Sequence, residues 1–285
     1  MKSKRLFTFF TTPVARRIAN GIGRVADRPM PRILMEPAVR LYALGLGVDL
    51  REAQVPEAGF SSFGDFFARP LKPGSREICQ EPAAFISPCD GVLDGVYRFD
   101  GTRSGHIRVK NFDYSLEQLT GDPASERFAC GDALVFYLHP RDYHRVHAPL
   151  NARLTTLRHI PGFRYPVAPW AERRVPGLYE KNERVVFHFE VGAHHMCLIM
   201  VAAFGVGNID TPFGLATSHD VISSQSFDPV TPIVRAQELG AFRLGSTVVL
   251  LATPGLFADI VRHPGDRVLM GQKVGRISAG SEEKI

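Results

Sequence analysis

Seven short apolar segments dominate the chain beyond residue 85 and constrain it to a β-rich fold. They are Gly91–Phe99, His106–Lys110, Ala133–Leu138, Ala152–Ile160, Val185–Val191, Met196–Phe204 and Thr247–Ala252. Each is too short for a buried helix and is bounded by turn-forming residues, as strands are. The 21 prolines and 26 glycines supply the breaks between them. A hydrophobic content of 45% is enough to build a core around such strands. The expected class is α+β: a mostly antiparallel β core, barrel or sandwich, behind a helical N-terminal region.

The N-terminal region, residues 1–70, reads as helical. Pro37–Gly47 has helical spacing, and Ser61–Ala68 places Phe63, Phe66 and Phe67 on one side of a short helix. Arg69-Pro-Leu-Lys-Pro-Gly74 ends the pattern, and residues 71–285 form the β-rich catalytic part. A short helix is also expected at Ser115–Leu119, with Ser115 and Gln118 as its cap pair.

Charge separates the same two regions. Residues 1–40 hold nine basic side chains against Asp27 and Glu36, so they carry +7, and the remaining 245 residues carry −2. Leu6, Phe7, Phe9, Phe10, Val14, Ile18, Ile22 and Val25 are interleaved with these cations. The mixture suits the surface of an anionic membrane. A helix packed on the body of the protein and a mitochondrial presequence share this composition and stay open. A secretory signal does not fit, because Thr11, Thr12 and Pro13 interrupt the apolar stretch. No nucleic-acid module follows, so nucleic acid is not an expected partner. No apolar run approaches about 18 residues, the length of a spanning helix.

The cysteines at 79, 89, 130 and 197 lack metal or disulfide spacing and read as free thiols. No metal site is expected either. His188 and His194-His195 flank a hairpin without ligand spacing and read as surface residues. The stretch Pro264-Gly-Asp-Arg-Val-Leu-Met-Gly-Gln-Lys-Val-Gly-Arg-Ile277 resembles the hairpins of lipoyl- and biotinyl-like domains, with Pro88–Val92 as an opening strand. The modifiable tip of those carriers is absent, and Lys273 sits inside a strand-like run.

Candidate chemistry gathers at three places. Asp90 lies in Ser-Pro-Cys-Asp-Gly, a turn where a carboxylate can orient an imidazole or simply cap its own backbone. His144 and His147 lie in His139-Pro-Arg-Asp-Tyr-His-Arg-Val-His-Ala-Pro149, a titratable cluster between two apolar strands. Ser246 follows Gly245, and a bent Gly-Ser bond lets the serine Oγ reach the preceding carbonyl. Such a set also serves a Ser-His-Asp hydrolase. The Gly-x-Ser-x-Gly elbow is missing, however, and a strand follows Ser246 where that elbow needs a helix. A hydrolase and a carrier module remain alternatives.

Ser87-Pro-Cys-Asp90-Gly, Pro-Arg-Asp-Tyr-His144-Arg-Val-His147, Asn182-Glu-Arg-Val185 and Phe242-Arg-Leu-Gly245-Ser246-Thr resemble, in order and spacing, the signature blocks of the pyruvoyl-dependent phosphatidylserine decarboxylases. Phe66-Phe-Ala-Arg-Pro-Leu-Lys72 matches their preceding block. The likeness runs from about residue 45 to 260; Ala168 departs from it, standing where the family carries asparagine.

This resemblance implies a proenzyme that cuts itself between Gly245 and Ser246 into a β chain of residues 1–245 and an α chain of residues 246–285. Asp90 would hold His147, and His147 would deprotonate Ser246. Ser246 would then become a covalent pyruvoyl cofactor that forms a Schiff base with phosphatidylserine, releasing CO2 and phosphatidylethanolamine. His144 would donate the proton that replaces the carboxylate, or shape the carboxylate pocket. The same resemblance implies a heterodimer of the two chains, a possible dimer of that heterodimer, and a peripheral place on the cytoplasmic side of a cell membrane, with the mitochondrial inner membrane as the other option.

Overall fold

In the computed structural model the described residues are 21, 25–102, 105–109, 112–203, 209–215, 221–243 and 246–280. They form an α+β fold whose named strands pair only in antiparallel fashion. Eight strands make the main sheet, in the order β11 (Ser223–Ile233), β7 (Ala152–Ile160), β8 (Arg184–Val191), β9 (His194–Ala202), β13 (Ser246–Ala252), β5 (Asp132–Leu138), β2 (Gly91–Arg98) and β15 (Arg267–Val268). The end strands β11 and β15 do not pair with each other, so among the described residues the sheet does not close into the barrel expected as one option.

Strand β13 lies near the middle of this sheet. Its Val248-Val-Leu-Leu251 run is at most 1% exposed, which is why the segment reads as continuously apolar instead of alternating. The edge strand β11 is the opposite case. Its Ser-Ser-Gln-Ser-Phe-Asp-Pro-Val-Thr-Pro-Ile sequence carries two prolines, tolerated because an edge strand need not offer every N–H to a neighbour.

The C-terminal pattern that resembles a lipoyl-type hairpin does not pair with itself. Strand β15 joins β2 in the main sheet. Its companion β16 (Lys273–Ile277) instead joins β1 (Ala84–Ile86) and β14 (Phe257–Ile260) in a separate three-stranded sheet. The turn between them needs Gly271, which sits at φ +92° where a Cβ would lie 2.7 Å from the Glu77 carbonyl oxygen. Lys273 is ion-paired with Glu81.

A third small sheet holds β10 (Ile209–Asp210), β12 (Glu238–Phe242) and β6 (Arg145–His147) in that order. The cluster between β5 and β7 is therefore no simple hairpin loop: its middle pairs with the strand that leads toward residue 246. A two-stranded hairpin, β3 (His106–Val109) and β4 (Phe112–Ser115), completes the strands.

Helix α1 (Arg32–Leu46) starts five residues before the expected Pro37, which sits inside it. Met35, Val39 and Ala43 anchor its inner face in a small core with Val48, Phe60 and Phe66. Helix α2 (Phe63–Phe67) is capped by Ser62, whose Oγ accepts the Asp65 N–H. Helix α3 (Leu116–Thr120) is capped by Ser115 as expected, through Gln118 N–H. The reciprocal bond comes from elsewhere, because the Ser115 N–H is taken by Glu180. His188, expected at the surface, is buried: its Nε2 lies 3.2 Å from Thr120 O and its Nδ1 3.3 Å from Cys197 Sγ. Strand β8 is covered on both faces, so its alternate positions are buried alike.

Candidate active site

Ser246 opens β13 and is fully buried, paired with Leu138 on β5 and Ala202 on β9. Gly245, the other half of the expected scissile bond, lies outside the described residues. The imidazole that meets Ser246 is His144, with Nδ1 3.2 Å from Oγ. Its Nε2 is 3.1 Å from the carbonyl oxygen of His139, which can only accept. Nε2 therefore carries the hydrogen, and Nδ1 presents a lone pair to the serine hydroxyl. Burial is the main cause that pushes the His144 pKa down to about 3, with the Arg69 charge adding to it. The ring is neutral at physiological pH and can accept a proton.

Several contacts hold this ring in place. The Phe67 ring lies 4.2 Å from it, centroid to centroid. The preceding turn is closed by Asp142 N–H to His139 O at 2.8 Å and by His139 N–H to Asp142 Oδ2 at 2.8 Å. The His144 carbonyl accepts the Phe242 N–H, tying the site to β12.

His147 lies one strand step farther along and does not touch Ser246 in this geometry. Its Nδ1–H donates to Ala236 O at 2.9 Å, so its Nε2 accepts from the Tyr143 hydroxyl at 2.9 Å. Burial lowers its pKa as well. Asp90 is bound not by His147 but by Arg76, through Nε at 3.0 Å and Nη2 at 2.5 Å, and by the Met270 N–H at 2.9 Å. A planar guanidinium satisfies a carboxylate with two parallel charge-assisted bonds, which a single imidazole N–H cannot match. The Asp90 loop still abuts β6, since His147 N–H donates to Pro88 O at 2.8 Å. The Asp90 loop and His147 are thus neighbours in the fold, while no direct bond links Asp90 to His147 or His147 to Ser246 among those described.

Three groups that shape the site stand in the blocks quoted from the sequence, which assigned them no role. Asn182 is fully buried and clamps the segment after β7 to the end of β9: its Oδ1 accepts Tyr165 N–H, and its Nδ2 donates to Tyr165 O and Ala202 O, the residue paired with Ser246. Glu183 beside it is buried between Arg164 and His159. The detectable signal was three polar residues, Asn-Glu-Arg, at the start of a strand and directly before the apolar Val185-Val-Phe187. Arg243, two residues before Gly245, binds Asp210 at 2.8 Å, Asp65 at 3.1 Å and Asp27 at 3.2 Å. It joins the segment ahead of Ser246 to the helical layer. Among the described residues no group of three His, Cys, Asp or Glu side chains is placed to hold a metal ion.

Known proteins match most of this chain. The phosphatidylserine decarboxylase family model matches residues 63–276. The phosphatidylserine decarboxylase proenzyme of Anaeromyxobacter sp. (strain K) is 34% identical over 90% of this chain and 93% of its own length. The proenzyme of the same name from Halorhodospira halophila is 39% identical over 89% of this chain and 87% of its own. That from Coxiella burnetii is 33% identical over 92% and 95%. The matched region holds Asp90, His144, His147 and Ser246 together, and the chain belongs to the phosphatidylserine decarboxylase family.

Proposed function

We propose that this chain is a self-processing decarboxylase that converts phosphatidylserine to phosphatidylethanolamine and CO2 at a membrane surface. The observation that carries the reading is the buried Ser246 hydroxyl, 3.2 Å from an imidazole whose tautomer leaves Nδ1 free to accept its proton. Deprotonated Oγ attacks the Gly245 carbonyl carbon, and the backbone nitrogen of residue 246 leaves, giving an ester. Loss of the Ser246 Cα proton then expels the Gly245 carboxylate. The products are a chain of residues 1–245 and a 40-residue chain, 246–285, whose dehydroalanine end hydrolyses with loss of ammonia.

Residue 246 fits the ketone that this sequence of steps leaves. It is the one residue to be converted, it is shielded from water, and His144 already faces its reacting atom. A pyruvoyl group there supplies the electrophile that binds the substrate amine and draws in the electron pair left as CO2 departs. His144 would hold or deliver the proton at that position, and Phe67 and the β13 neighbours would exclude water.

Two readings of the first proton transfer remain, each with its own observation. Direct contact gives the role to His144. The Asp90–His147 pair is the other reading: burial lowers the His147 pKa, Glu238 and, less strongly, Asp90 act against that shift, and the Asp90 loop is bonded to the same strand. Comparing His144→Ala with His147→Ala separates them. The variant that stays at the full 31.5 kDa has lost the base; one that is split but inert has lost a group needed later.

The membrane half of the proposal rests on α1 and the basic segment before it. Ile33, Leu34, Leu41 and Leu44 are 60–84% exposed on α1. Positions 33, 37, 41 and 44 form one stripe at helical spacing, with Arg32 and Arg40 beside it. An apolar stripe flanked by cations is what an anionic lipid surface receives. No helix among the described residues is long and apolar enough to cross a membrane.

Intact mass and denaturing electrophoresis test the whole reading. Two chains split after Gly245, with residue 246 as pyruvoyl, are expected; Ser246→Ala should stay whole and make no phosphatidylethanolamine. Product from that variant would sink the mechanism.

A further inference from the structure

Arg69 follows α2 and is 3% exposed, yet no carboxylate lies within ion-pair distance of it among the described residues. Its Nη2 donates to the carbonyl oxygens of Arg141 at 3.2 Å and Asp142 at 3.1 Å. Nε and Nη1 are buried without an acceptor, and the guanidinium carbon lies 5.3 Å from the centre of the Phe66 ring. A buried cation with three of its five N–H donors unused is costly, so its position demands a return.

The two carbonyls it grips belong to the turn that carries His144, and three further contacts bind the same segment. Phe67 covers the His144 ring, Ala68 O accepts from Arg145 Nε at 2.8 Å, and the Tyr42 hydroxyl of α1 donates to Pro140 O at 3.4 Å. Tyr42 in turn packs edge-on against Phe63, Phe66 and Phe67.

We infer that Arg69, with Phe67, is a positioning group that fixes the tautomer and aim of His144 toward residue 246. The inference rests on the reading that His144 acts at that residue. Gripping the 141–142 carbonyls holds the turn whose His139 carbonyl selects the Nε2–H tautomer. Burial lowers the pKa of the ring most, and the Arg69 charge adds to it by opposing protonation of the ring behind Phe67. Among the other charged or titratable groups around the ring, His139 also opposes protonation but to a lesser degree than Arg69. His139 is itself titratable; Asp142 is neutralised by Arg267 at 2.8 Å; Arg141 reaches only Asp142, at 3.9 Å; Ser246 and Tyr42 are uncharged. A lysine would keep the charge but not the two-carbonyl fork.

The test is a histidine-nitrogen NMR titration in the uncleaved Ser246→Ala background, alone and with Arg69→Met or Arg69→Lys. In the background chain His144 should show Nε2–H and stay neutral far below pH 6.5, the ordinary histidine value. Arg69→Met should raise its midpoint by about one pH unit or more. Arg69→Lys should keep the midpoint and mix the tautomers. A background midpoint near 6.5, an unmoved midpoint in Arg69→Met, or a single tautomer in Arg69→Lys would each overturn the inference. Should Arg69→Met fail to fold, the background and the lysine variant still decide. Because this readout needs no cleavage, a wild-type chain that never splits sinks the proposed function and leaves the titration interpretable.

Discussion

Replacing Asn182 with alanine should cost this protein about 3 kcal/mol or more, although the side chain touches no reacting atom. The figure follows from counting partners. Tyr165 N–H, Tyr165 O and Ala202 O each bond to the Asn182 amide, at 2.9–3.0 Å, and the residue is 0% exposed. A methyl group satisfies none of them, and each buried backbone group left unpaired costs about 1–3 kcal/mol. Three at the low end already exceed the roughly 0.5 kcal/mol of an ordinary surface substitution. That is a substantial part of the ~5–15 kcal/mol by which domains are stable. The measurement is denaturant unfolding in the Ser246→Ala background, which remains one chain. Splitting should be followed in parallel with Ser246 intact, because Ala202 pairs with it across the ladder. A loss below about 1 kcal/mol would show that Tyr165 and the end of β9 hold together without the clamp, and the reasoning would fall.

Acid should destabilise the fold through His188, whose pKa burial lowers from 6.5 to about 4. Between those values the unfolded chain binds a proton that the folded chain refuses, so stability falls as pH drops from about 6.5 to about 4, by up to roughly 3 kcal/mol. His188→Leu should make that part of the stability–pH curve shallower, leaving the share of His144, whose pKa is lowered from the same 6.5. An unchanged slope would exclude His188 from the effect. Arg243→Ala, which frees three carboxylates just ahead of residue 244, should slow splitting about tenfold, the equivalent of about 1.4 kcal/mol of lost positioning. Electrophoresis over time reads it, and a parental rate would exclude Arg243 from the process. Leu41→Glu with Leu44→Glu should weaken binding to anionic vesicles at least tenfold, since each leucine carries about 1.5–3 kcal/mol of burial. Unchanged co-sedimentation would remove α1 from the membrane face.

The strands of the main sheet were legible because buried antiparallel strands leave strong apolar runs, and six of the seven segments read from sequence fall within two residues of members of that sheet. The seventh, at His106, pairs in the small hairpin instead. Strand β11 escaped notice because polar residues and proline are acceptable at an edge. The destination of the Gly271 strands was also hidden, since local pattern specifies a turn but not which sheet each arm joins. At the site, the residue types and order pointed to the chemistry, while the contacts did not follow from them. Position 144 meets Ser246 only because Arg145–His147 pairs with β12, a long-range partner that no local spacing encodes. The capture of Asp90 by Arg76, 14 residues upstream, depends in the same way on a chain path that tertiary packing decides.

The place of β13 carries one more consequence. All seven of its residues are laddered to β5 on one side and to β9 on the other, both from the part of the chain before residue 245. A cut at its first residue would therefore leave the shorter product threaded through the centre of the longer one, held without a covalent link. Such a molecule keeps a memory of its precursor. It was assembled while the strand was tethered, and once unfolded it must find that slot as a bimolecular encounter. Heating and cooling should therefore restore the uncut Ser246→Ala chain far better than the processed enzyme, making maturation a one-way commitment to the folded state.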